Sequence, residues 1–170
     1  MPLLHTLLHL PARIAYLALS ITALGLLGFG LYLQHGVGLE PCPMCIMQRY
    51  AFLVVALLAL LGGVHGPKRR GSRIYAALIG VAALTGASIA ARQSWMQLYP
   101  PAIPECGPGL EFMLGSFPLA EALPMIFRGA GDCVAVDWTF LGLSIANWSL
   151  LTFTATIGRA SYRERVVTEF

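Results

Sequence analysis

Four apolar runs, at roughly 14–33, 46–64, 74–91 and 140–157, constrain this chain more than any other feature. Each is close to the ~20 residues that cross a hydrocarbon core as a helix. Strands are disfavoured because period-two alternation is absent and unpaired backbone is intolerable in lipid. The chain is 57% hydrophobic and 11% charged, too few charges to cover a water-facing surface. The fold class expected is all-α: a membrane protein made as one four-transmembrane-helix bundle over 1–170. The first run is expected to be retained, since "YLQHGVGLEP" offers no small-x-small cleavage site.

Charge orients the bundle. Arg13, the turn "HGPKRRGSR" and Arg159, Arg163 and Arg165 fall on one side. Glu40, Glu105, Glu111, Glu121, Asp132 and Asp137 fall on the other, with Arg49, Arg92 and Arg128. Positive charge stays in the cytoplasm, so both termini are expected there. The net charge of +3 expresses topology and calls for no nucleic-acid partner. Trp95, Tyr99 and Trp138 suit the membrane–water interface. Ala82, Gly86 and Ala90, spaced by four, suit close helix packing in lipid.

All four cysteines then lie in the two outer loops, approximately 34–45 and 92–139, where an oxidising compartment lets disulfides persist. In the second loop, Ser116 and Pro118 are placed to start a short helix presenting Leu119, Leu123 and Phe127, which either lies on the membrane surface or caps the bundle. Zinc usually requires two close pairs, and Cys106 and Cys133 do not form one. Structural disulfides remain an alternative. A Cys42–Cys45 bond, however, closes too small a loop to stabilise much, which suits a bond that is made and broken.

Arg49 sharpens that reading. It stands four residues after Cys45, on the same helical face. Cys45 is also at a helix N-terminus, and both features favour a thiolate. The alternative for Arg49 is snorkelling to the surface. A thiolate and a cation at the lipid boundary suit a lipid-soluble electron acceptor such as a quinone. Flavin, nicotinamide and phosphate-loop fingerprints are absent from the sequence.

The segments "PCPMCIMQR", "QLYPPAIPEC", "GDC" at 131–133, Trp138 and "FLG" at 140–142 resemble the disulfide bond formation protein B (DsbB) family over nearly the whole chain. The resemblance implies a bacterial inner-membrane thiol:quinone oxidoreductase within the relay that keeps the periplasm oxidising. It implies that a reduced DsbA-like partner attacks Cys106 and frees Cys133. Cys133 then exchanges with Cys42, and Cys45 faces a quinone (ubiquinone or menaquinone) supported by Arg49. Electrons leave for the respiratory chain through the quinone pool. Gln93 stands where the family often has a histidine, with Arg92 beside it as a second candidate for the quinone site. The alternatives are a four-helix scaffold or adhesion protein with structural disulfides, and the vitamin K epoxide reductase-like thiol enzymes. In the latter, the motif cysteines usually sit late in the bundle.

Overall fold

Proline and glycine divide the chain into its elements. The computed structural model describes residues 11–100, 112, 115–118, 120–121, 124 and 133–168, with side chains of the last helix described through 161. Helix α1 spans Ala12–His35, and the Gly36 N–H closes it onto Tyr32 O at 2.7 Å. Helix α2 spans Pro43–His65, three residues earlier than its apolar run. Pro43 occupies N1, where the missing N–H costs nothing and φ is already helical. Gly66, at φ 58, ends α2 in the left-handed conformation that glycine adopts without strain. Arg13 of α1 also donates to the terminal carbonyls Gly63 O and Val64 O, both at 3.2 Å.

Helix α3 spans Arg69–Leu98 and is 30 residues long, about 45 Å at 1.5 Å per residue. The apolar run ends at 91, but nothing in "RQSWMQL" breaks a helix before Pro100 and Pro101. Arg92 and Gln93 are therefore helical rather than in the outer loop. The last expected helix also differs. Strands β1 (Thr139–Phe140) and β2 (Leu143–Ser144) form a two-residue hairpin before helix α4, Ile145–Thr168. Leu141 at φ 52 and Gly142 at φ 77 make its turn, with both φ values positive as a type I′ turn requires. Ser144 Oγ then accepts the Asn147 N–H at 3.4 Å and starts α4.

Among the described residues, three helices, α1, α2 and α3, are long and apolar enough to cross a membrane. Helix α4 loses Phe140 and Leu143 to the hairpin and carries Asn147, Ser149, Thr152, Thr154 and Thr156. Helices α1 and α2, α2 and α3, and α3 and α4 pack as sequential neighbours. Large apolar side chains point outward: Ile21 is 70% exposed, Val81 66% and Leu61 56%. The interior combines small residues and hydrogen-bonded hydroxyls with a few large apolar side chains such as Phe52, Ile79 and Phe153. Ser20 Oγ donates to Ala56 O (3.0 Å) and Tyr16 OH to Ser72 O (2.9 Å). An apolar exterior over an interior whose buried Ser20 and Tyr16 hydroxyls are hydrogen-bonded is what a lipid solvent demands.

The small-residue stripe of α3 receives Phe153, which is fully buried and stacked on Phe52 with centroids 4.1 Å apart. A Cβ on Gly86 would come within 2.6 Å of Phe153 Cε1. Gly86→Ala is therefore expected to destabilise the bundle by about 1–3 kcal/mol, the usual cost of overpacking. On the same helix, a Cβ at Gly80 would meet Ala160 Cβ at 3.8 Å, so Gly80→Ala should be neutral. Thermal unfolding in detergent compares the two; equal midpoints would remove Gly86 from the α3–α4 contact.

Candidate functional site

The local chemistry begins with an unusual helix cap. Cys42 is the N-cap of α2, and its Sγ accepts the Cys45 backbone N–H at 3.3 Å, a place normally taken by serine, threonine or an acid. This fold of the first turn brings the Cys42 thiol to Cys45 Sγ, 2.9 Å away, as a donor. Cys133 is fully buried and hydrogen-bonds with Cys42, in a cluster with Met44, Ile89 and Met96. Hydrogen bonding to Cys133, then to Cys45, and then burial push the Cys42 thiol well above its ordinary range. Cys106 lies outside the described residues, as do Leu119, Leu123 and Phe127 of the expected short helix.

Gln93 meets both sulfurs. Its Nε2 lies 3.2 Å from Cys45 Sγ and 3.4 Å from Cys42 Sγ. Its Oε1 accepts from Gln48 Nε2 at 2.7 Å and is 3.7 Å from Cys45 Sγ. Both glutamines are 3% exposed. Gln48 was not singled out from the sequence, although a lone amide three residues after Cys45 shares its face.

Arg49 is placed differently from expectation. Its guanidinium donates to Gln34 Oε1 (2.5 Å) and Gly30 O (2.9 Å), both on α1. The residue hydrogen-bonded to Cys45 from outside α2 is Gln93. Sharing a helical face left open which neighbour a long side chain would choose, and α1 supplies two oxygen acceptors. Arg92 stands apart from Gln93. It is exposed and does not line the cavity beside the cysteines, because one residue step turns it 100° from Gln93.

That cavity, of about 330 Å³, is lined by residues of all four helices. Its polar end holds Cys42, Cys45, Gln48, Arg49 and Gln93, with Gln97 accepting from Ser144 Oγ at 2.7 Å. Leu26, Phe29, Leu33 and Phe52 line the apolar remainder. Trp138 closes one side, edge-on to Phe29 (5.4 Å) and stacked with Phe140 of the hairpin (6.1 Å). Glu40 and Asp137 stand at the rim, both exposed. Among the described residues, no cluster of three or more His, Cys, Asp or Glu side chains could hold a metal ion.

Apolar-faced helices and a buried, contacting set of cysteines define a multi-pass membrane protein of thiol–disulfide chemistry. Comparison with known families gives the particular one. The DsbB family model, disulfide bond formation protein DsbB, matches residues 12–162, and the chain belongs to that family. It is 70% identical over 142 residues to disulfide bond formation protein B of Aromatoleum aromaticum, covering 84% of this chain and 86% of that protein. Identity to the Azoarcus protein of that name is 67% over 143 residues, with the same coverage. For the Hahella chejuensis protein it is 47% over 142 residues, covering 83% and 86%. These matches set aside the vitamin K epoxide reductase-like alternative and assign a role in forming disulfide bonds.

Proposed function

We propose that this protein reoxidises a DsbA-like thiol-disulfide oxidoreductase and delivers the electrons to a membrane quinone, ubiquinone or menaquinone. The observation that carries this reading is the position of Cys45. It opens, with Cys42, on a mostly apolar cavity, and Cys42 in turn contacts the buried Cys133. In this reading α4 is a fourth span. Both termini are cytoplasmic, the cysteines face the periplasm, and the membrane is the bacterial inner one.

The partner's thiolate attacks Cys106 of a Cys106–Cys133 disulfide, and Cys133 leaves as thiolate. Cys133 attacks Cys42 of the Cys42–Cys45 disulfide, and Cys45 leaves. Resolution of the mixed disulfides yields oxidised partner and a reduced Cys42–Cys45 pair. Gln93 donates to the departing Cys45 sulfur, and burial beside Met44 and Met96 keeps water from the exchange. A bound quinone supplies a two-electron, two-proton acceptor that closes the cycle. Arg49 and Gln48, which line the cavity, would orient its oxygens.

Purified protein in detergent, given quinone and a reduced DsbA-like protein, should bleach the quinone absorbance with one quinone consumed per disulfide formed. Disulfide formation in the partner that is unchanged by leaving out quinone would reject the reading.

A further inference from the structure

An amide has a donor end and an acceptor end, and near a sulfur that must carry negative charge only one orientation helps. Gln93 sits against the Cys42–Cys45 pair with its NH2 toward the sulfurs. Its own contacts with sulfur do not fix that choice, because a thiol also donates, as the 3.7 Å approach of Cys45 Sγ to Oε1 illustrates. The second contact fixes it. Gln48 Nε2 donates to Gln93 Oε1 at 2.7 Å, the shorter and stronger of the bonds in this group. With Gln48 held as it stands, turning Gln93 over would set two NH2 groups against each other. Both amides are buried, so water cannot make good such a mismatch.

We propose that Gln48 is a positioning residue whose hydrogen bond to Gln93 locks the Gln93 amide donor-first onto Cys45, stabilising the reduced Cys42–Cys45 pair and so making it a stronger oxidant. The inference rests on reading that pair as one that is made and broken, and it needs neither quinone nor partner. A neutral amide provides its donor without titrating, in contrast with the imidazole the resemblance led one to expect at position 93. A dithiol whose thiolate is better stabilised holds its disulfide less firmly, which raises its reduction potential.

Two substitutions of Gln48 separate this from simple packing. Gln48→Leu removes the donor. Gln48→Glu keeps size and shape but, ionised, only accepts, so it draws the Gln93 NH2 to itself and turns Oε1 toward the sulfurs. The intact protein in detergent is equilibrated with glutathione buffers, and the Cys42–Cys45 disulfide is quantified by mass spectrometry of the peptide holding both. Gln48→Leu should shift the equilibrium toward disulfide about tenfold, since a hydrogen bond to a charged group is lost. That is about 30 mV more negative for a two-electron couple. Gln48→Glu should shift it further in the same direction and slow alkylation of Cys45 at pH 7 more than Gln48→Leu does. A packing role gives the reverse order, with the near-isosteric glutamate the milder change. Shifts below threefold in both variants, or a Gln48→Glu shift no larger than that of Gln48→Leu, overturn the proposal. If the shifts appear while the wild type fails to reduce quinone, the lock stands and the quinone reading falls. Active quinone reduction without the shifts rejects the lock alone.

Discussion

Cys45→Ser should bring quinone-dependent turnover down by roughly 10³-fold or more, to background, while a single equivalent of reduced partner is still oxidised. Serine keeps the size of the side chain and can still accept from Gln93 Nε2, so the first turn of α2 and its contacts should survive. It cannot form a disulfide, and it cannot leave from one. The Cys106–Cys133 pair remains able to take two electrons once, after which they have nowhere to go. Cys106→Ser gives the mirror image. The partner is no longer oxidised, yet quinone should still oxidise the Cys42–Cys45 pair, because no atom of position 106 takes part in that half. Stopped-flow mixing with partner alone, and with quinone alone, measures each half. Turnover above about 1% of wild type in Cys45→Ser would reject the assigned order of the pairs.

What could be read in advance was what is local along the chain. Cys42, Cys45 and Arg49 lie within two helical turns, so a CxxC at a helix start followed by a cation is visible without a fold. The three spans were visible for the same reason, as continuous apolar runs. What depended on a second helix was not. Gln48 matters only because the register of α2 against α3 sets it 2.7 Å from Gln93, and no local rule gives that register. Arg49 turned to α1 because Gly30 O and Gln34 Oε1 accept from it there, a fact of packing. The start of the last helix moved to Ile145 because apolar content alone cannot separate a short hairpin from a helical turn. The Leu-Gly pair at 141–142 was the available signal for that turn.

Arg49→Ala should weaken apparent quinone affinity about ten- to a hundredfold, the loss expected of one charge-assisted hydrogen bond. The guanidinium has five N–H donors, and α1 takes two of them, at Gly30 O and Gln34 Oε1. These bonds hold the planar head in the cavity wall beside Cys45, so its direction is set before any ligand arrives. Fixing a donor in advance lowers the entropy lost on binding. Arg49→Lys keeps the charge but not the fork. An ammonium that serves the two α1 acceptors has one N–H left, so this variant should fall between wild type and alanine. Gly30→Ala is the control. Its Cβ would stand 3.5 Å from Arg49 Nε, an ordinary contact, so quinone titrations there should match wild type. Attack by the partner on Cys106 should be unchanged in all three variants, since it precedes any use of the cavity. Mixed-disulfide trapping at Cys106 and quinone titration, run on the same preparations, separate the two stages. Normal titration in Arg49→Ala with slowed trapping would make Arg49 a tie between α1 and α2 and take it out of the quinone site.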